Sequence, residues 1–370
     1  MSRITVLLLV VLLPGGGRVA RPGPRAITPV AVGQIAERRL STVRTLPEPY
    51  SEITALRVLS DARALLLDGK EQELHLVDPG RGTTRAIGRV GAGPGEFRRG
   101  TALLPARGDT TLLVDGGNGR LLVVAPDGSL PAVLTPSERT PLARASAGDG
   151  AGSVYVTTAM LDEGPTTEKA PDSVRLARIA LATQRMSPVA SLAAPPTRIV
   201  VRRSGARIES IDIIRPPFAV GDAFAVAPGG RVAIARRSPY RLDQVMPDGR
   251  LVHGAPVSVP SIPVGTGERE EYLSTLVPRP SPESLEWPRA LPPFPANPVL
   301  ALANGETWVR RHVAARRDST WYDVFDPNGG LQARLPLDKR RRILAVTAHG
   351  VYVARTDDDG LVYLEVATVR

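Results

Sequence analysis

The sequence contains no cysteine. That removes disulfides, thiolate nucleophiles and zinc–thiolate sites together, so the chain must be held by its own core. Lysine is almost missing: Lys70, Lys169 and Lys339 stand against 44 arginines, in a chain of formal net charge +10. No apolar run approaches the roughly 20 residues that cross a bilayer core. GxSxG elbows, Walker loops, HExxH pairs and N-x-S/T acceptors do not occur, which argues against elbow hydrolases, P-loop NTPases and zincin proteases. The four histidines, His75, His253, His312 and His349, are spread along the chain with no ligand-like spacing.

What is present begins with MSRITVLLLVVLLPGGGRVA. Arg3 gives a positive start and Ile4 to Leu13 an apolar stretch too short to span, so residues 1–20 read as a signal peptide cut between Gly17 and Ala20. Residues 21–36 are expected as a flexible N-terminal segment, and 37–370 as the folded part. No stable membrane span remains after processing, and the expected location is extracytoplasmic, either periplasmic or secreted. A basic surface steers anionic polymers toward itself. Export makes nucleic acid an unexpected partner.

One phrase recurs: an apolar run, a proline with glycine and usually Asp or Asn, then a second apolar run. It appears as LHLVDPGRGTTRAI at Leu74, LLVVAPDGSLPAVL at Leu121, LDQVMPDGRLVHGA at Leu242 and YDVFDPNGGLQARL at Tyr322. Each centre is turn chemistry and each phrase a β-hairpin. Two further short strands precede each hairpin, so the unit has four strands. Six units follow, the third carrying an acidic insertion at Asp162–Asp172 and the last supplying only three strands from Ile343 to Val369. Arg39–Leu46 is the lone strand that can fill the vacancy. The fold expected is an all-β six-bladed propeller closed by its N-terminal strand. An extra hairpin is expected over Thr197–Phe218, turning at Ser204–Gly205. Between the fourth and fifth blades lies an insertion, Pro260–Asn297, with a short helix capped by Thr266 and another helical turn from Ser281 through Trp287.

The stretch IGRVGAGPGEF, Ile87 to Phe97, has the glycines of a phosphate cradle but not the G-x-G-x-x-G spacing or a following helix. Gly91 to Gly128 instead resembles an NHL-type propeller repeat, in a G-x-G-P-G-x-F linker, a V-x-D-x-x-N-x-R signature and a D-x-x-G-like turn. The matching residues are Gly93, Pro94, Gly95, Phe97, Val114, Asp115, Asn118, Arg120, Asp127 and Gly128. The whole chain resembles the bacterial exported six-bladed β-propeller proteins that share this linker. The resemblance implies a fold and a compartment, not a reaction. It makes the glycine loop a connection between blades, with Phe97 plugged between them.

Propeller chemistry gathers around the central channel. The expected innermost strands, Ile53–Ser60, Gly100–Ala106, Ala143–Asp149, Asp222–Ala227, Val299–Asn304 and Ile343–His349, carry few titratable groups, and no metal or other cofactor is expected. Asp357-Asp358-Asp359-Gly360 lacks the rest of a calcium loop and reads as a β-turn. Loops entering the inner strands carry arginines: Arg98 and Arg99, Arg139, Arg215, and Arg340, Arg341 and Arg342. Tyr50 and Trp287 are assigned to the same side. Guanidinium forks match carboxylate or phosphate oxygens, although loop solvation alone also places arginines there. The preferred reading is a non-catalytic propeller binding an anionic polysaccharide, peptide or exported protein through this face. The alternative is a metal-dependent lactonase or lyase acting in the channel.

Overall fold

The computed structural model describes residues 35–136, 141–158, 170–205 and 207–370. The signal peptide, most of the segment 21–36, Arg139 and most of the acidic insertion lie outside them. Six four-stranded antiparallel arrays follow one another, in the order inner to outer strand. Sheet 1 covers Ile53–Ile87, sheet 2 Gly100–Leu134, sheet 3 Ala147–Ala193, sheet 4 Ala223–His253, sheet 5 Val299–Asp338, and sheet 6 begins at Arg341–Thr347. The outer strand of sheet 6 is Leu40–Tyr50, antiparallel to Val362–Val369 with Leu40 opposite Val369 and Tyr50 opposite Val362. The chain therefore forms a ring of six blades.

Packing shows why these strands lack clean alternation. Ala64–Asp68 and Thr111–Asp115 are buried at every position, because a blade's inner strands are covered on both faces. Among the described residues the apolar core divides into six clusters, and each belongs to two neighbouring sheets. One joins sheet 6 to sheet 1 through Leu46, Tyr50, Ile53 and Leu66, so burial itself requires closure.

The N-terminal staple reaches further than one strand. Ala36–Glu37 pairs in parallel with Ala333 and Arg334, as a fifth strand on sheet 5. Arg38 then makes a two-pronged ion pair with Glu306 at 2.9 and 3.0 Å. Ala36 is thus ordered in a strand, where the sequence reading assigned the end of a flexible segment.

The glycine linker is a connection between sheets 1 and 2. Arg89–Val90 folds back parallel to Glu96–Phe97, and Phe97 is fully buried in the cluster shared by those sheets. The signature residues hold the linker down. Asp115, buried, accepts the Arg98 N–H at 2.8 Å, the Asn118 amide at 2.8 Å and Arg120 Nε at 3.0 Å. Asn118 and Arg120 in turn donate to the carbonyls of Gly91, Gly93 and Glu96. Gly95 sits at φ +71°, a left-handed conformation that suits glycine.

The extra hairpin is present as Arg198–Ser204 paired with Arg207–Ile214. The insertion holds a helix at Thr266–Ser274. Its N-terminus differs from expectation: Gly265 is the cap residue and Thr266 the first helical one, with the Glu268 carboxylate accepting the Gly265 N–H at 3.0 Å. Past it, Pro282–Ser284 forms a single 3₁₀ turn, shorter than the turn expected through Trp287. The inner strand of sheet 3 is only Ala147–Gly148, with a 3₁₀ turn at Leu142–Arg144 where a strand was expected. A Cβ on Gly148 would lie 2.4 Å from the Pro105 carbonyl of sheet 2.

Two stability predictions follow from this frame. Leu46→Ala should cost about 2–5 kcal/mol in urea unfolding, the range for a buried leucine; a loss under about 1 kcal/mol would mean that the closing strand contributes little. Asp115→Ala strands the buried side of Arg120 and the linker N–H, and should cost about 3 kcal/mol; a near-neutral effect would contradict the clamp.

Candidate functional site

Call the inlet face the side on which the chain enters the innermost strand of every sheet. Arg98 and Arg99 precede the inner strand of sheet 2 and are exposed over the turn at Gly116 and Gly117. Arg215 is exposed ahead of sheet 4, and Arg340 is exposed and paired with Asp358. Arg341 is turned to the Glu365 carboxylate at 2.7 Å and the Thr42 hydroxyl at 2.9 Å, a structural role in sheet 6.

The two aromatic candidates are placed differently from the sequence reading. Tyr50 is 4% exposed. Its ring meets His75 edge-on at 5.4 Å, and its hydroxyl lies 3.3 Å from that of Thr84. It is an interblade core residue and presents no ring to a ligand. Trp287 packs on Tyr272 and Phe218, at 5.7 and 6.3 Å between centroids, under the Arg269 guanidinium. Its indole N–H donates to the Pro282 carbonyl at 2.8 Å. Trp287 thus anchors the insertion.

Many of the arginines are consumed by buried carboxylates. Asp243 receives Arg236 and Arg241, Asp323 receives Arg311 and Arg334, and Glu365 receives Arg341 and Arg355. All three carboxylates are almost fully buried, so each requires its cations. Histidines are likewise committed in separate places: His253 to Asp243, His349 to the Ser60 carbonyl, His75 beside Glu73. The Asp357–Gly360 segment is a turn in which the Asp357 carboxylate accepts the N–H groups of Asp359 and Leu361. Among the described residues no group of three or more His, Asp or Glu is placed to hold a metal ion.

A different arrangement occupies the inlet mouth of the channel. A cavity of about 360 Å³ lies there, lined by Arg310, Arg342, Tyr322, Ser146, Thr54 and Thr101 among polar residues and otherwise mostly by apolar side chains such as Leu56, Leu103 and Leu344. No carboxylate and no imidazole lines it. Arg342 is the second residue of the inner strand of sheet 6 and donates to the Ile53 carbonyl at 2.6 Å. Arg342 is open to water in the cavity yet ringed by protein; that burial lowers its pKa, and Arg310 pushes the same way, against Tyr322 and Glu52. It remains a cation at neutral pH. Arg310 ends the second strand of sheet 5, and its Nε is buried without a hydrogen-bond partner. Tyr322, buried, accepts the Ile343 N–H on its hydroxyl oxygen at 3.0 Å, and burial raises its pKa. It stays a neutral hydroxyl able to donate.

Two positive groups therefore face one solvent-filled cavity with no fixed anion in its wall. Such a site attracts a negative ligand, and the apolar lining lowers the local dielectric in which the attraction acts. It has none of the carboxylates or imidazoles that general acid–base chemistry or a resident divalent metal would use. Of the residues singled out from sequence, only Arg342 lies in this wall. Arg310 was missed because it sits at the end of a strand, in WVRRHV, and not in a loop; the doubled arginine closing an apolar strand was the available signal.

No family model matches the chain, and no curated protein matches it significantly. Solved structures do resemble it. A member of the DUF4221 family from Bacteroides vulgatus is 11% identical with a TM-score of 0.52, covering 91% of this chain and 99% of that one. A protein from Bacteroides fragilis named as a candidate exported protein is 13% identical with a TM-score of 0.43, covering 93% and 97%. Regucalcin, a calcium-binding protein from Agrobacterium tumefaciens, is 12% identical with a TM-score of 0.38, covering 90% and 97%. The first of these supports the propeller fold and assigns no ligand.

Proposed function

We propose that this protein is an exported, non-catalytic propeller that binds an anionic ligand on its inlet face, with the channel mouth as the primary site. The observation that carries the reading is the pair Arg310 and Arg342 lining one cavity that has no acidic residue in its wall. Arg342 comes to the cavity from sheet 6 and Arg310 and Tyr322 from sheet 5, the Tyr322 hydroxyl bridging to the Ile343 N–H of sheet 6. Hydrogen bonds to charged groups contribute about 1.5–3 kcal/mol each, so two guanidinium groups supply a useful share of a modest affinity. Arg98, Arg99, Arg215 and Arg340 surround the mouth on exposed loops and steer the anion inward. Their individual contribution is small because they are screened by salt.

The compartment rests on the N-terminal apolar stretch with Arg3 ahead of it. Among the described residues no helix is long and apolar enough to cross a membrane.

The test is titration calorimetry of the full chain with galacturonate, a small carboxylate with an uncharged body. Arg310→Gln and Arg342→Gln should each weaken binding about tenfold or more, while Arg98→Ser should change it by less than about twofold. Equal affinity in wild type and both channel variants would overturn the site.

A further inference from the structure

The second strand of a sheet ends differently around the ring. In sheets 1 and 2 its last residue is Asp68 or Asp115, and each accepts N–H groups of the incoming connection. In sheets 4 and 5 the same position is arginine, Arg237 and Arg310. The Nε of both is buried without a hydrogen-bond partner. The channel site uses only Arg310, so Arg237 is a second cation of the same origin that nothing yet described employs.

Cavities connect the two. Beneath the helix Thr266–Ser274 is a pocket of about 230 Å³ that shares Arg310 with the channel mouth and also touches Arg311 and His312. Next is a pocket of about 420 Å³ that shares Arg311 and His312 and reaches Arg237. A third, of about 400 Å³, shares Arg237 and runs toward the foot of the extra hairpin at Pro216. Each compartment thus shares an arginine with the next, so a row of adjoining pockets, here called the groove, runs from the channel mouth across sheets 5 and 4.

The acids in this groove are already engaged. Glu268 accepts the N–H groups of Gly265 and Ala315, and Glu271 is paired with Lys339 at 2.9 Å. The two compartments reaching Arg237 have no acidic residue in their walls. His312 is kept neutral at physiological pH: burial lowers its pKa, and Arg310 and Arg311 add to that.

The walls decide between linear polyanions. Prolines dominate the Arg237 end, among them Pro217, Pro239, Pro260, Pro288 and Pro292. Proline has no N–H to offer, so a peptide could not add to this wall as a strand, the mode in which main-chain hydrogen bonds supply the affinity. Recognition is left to side chains: guanidinium groups at intervals, and the Phe218 and Tyr272 rings between them. That set suits sugar rings that each carry a carboxylate.

We infer that the groove from Arg310 to Arg237 binds a linear acidic oligosaccharide, with one uronate carboxylate at Arg310 and a later one at Arg237. The inference rests on the anion reading of the channel mouth and extends it to a substrate class. Affinity should then rise with chain length, because the second carboxylate binds as part of a molecule already held.

The probes are galacturonate and its tetramer, titrated into the full chain. Wild type should bind the tetramer at least about tenfold more tightly than the monomer. Arg237→Gln should leave monomer affinity within about twofold and abolish the gain from length, whereas Arg310→Gln should weaken both ligands. Arg237→Met, which keeps the aliphatic stem, serves as a second variant, with circular dichroism confirming the fold of each. A tetramer no tighter than the monomer, or a length gain that survives both Arg237 variants, overturns the inference while leaving the channel site standing. Tetramer binding indifferent to Arg310→Gln sinks the channel reading and the inference with it. Tighter binding of tetraglutamate than of the uronate tetramer, lost in Arg237→Gln, would assign the groove to acidic peptides and overturn the oligosaccharide.

Discussion

The pairing of Leu40–Tyr50 with Val362–Val369 is the constraint on which the rest depends. Each of the six apolar clusters among the described residues is shared by two neighbouring sheets, and the one between sheets 6 and 1 exists only when the circle is complete. The chain contains no disulfide to enforce that circle. Closure comes instead from hydrogen-bonded pairing, from Leu46 and Tyr50 packed against sheet 1, and from Arg38 fastened to Glu306 on sheet 5. The closed sheet 6 also carries Arg342, which lines the same cavity as Arg310 of the neighbouring sheet 5.

Charge is distributed by the same logic. A blade that buries Asp243, Asp323 or Glu365 must bring two arginines to each, since an unpaired buried carboxylate is expensive. The arginine-rich composition is thus partly a consequence of how these sheets are stitched. The anion reading proposed above rests on the remainder, and two of the arginines whose Nε is buried without a partner occupy strand ends in adjacent sheets, Arg237 and Arg310. Where the second strand ends in a structural aspartate in sheets 1 and 2, it ends in arginine in sheets 4 and 5. The insertion contributes Pro260, Pro292 and Pro293 to the same pocket as Arg237.

The architecture was legible because its signals are local and repeated. Turn clusters such as PDG and PNGG mark each hairpin, the glycine linker marks one crossing between blades, and Arg39–Leu46 is a lone strand with no local partner. The site was much less so. Arg342 was visible as one of many loop arginines, but nothing in the sequence separates it from Arg341, which faces Glu365 one residue earlier. Strand alternation sends the two to opposite sides, and only the register reveals which one meets the cavity. The placement of Tyr50 and Trp287 was hidden for a related reason: each packs against another ring, that of His75 in one case and of Tyr272 in the other, which strand and turn patterns do not reveal. Arg310 was hidden by its place at the end of a strand.

The claim at the centre is that the channel mouth holds two cations without a fixed counter-ion. Crystals of the protein soaked in bromide test it directly through anomalous scattering. The account predicts a bromide peak between the Arg310 and Arg342 guanidinium groups. An empty mouth, with peaks only at Arg98, Arg99 or other exposed arginines, would contradict it.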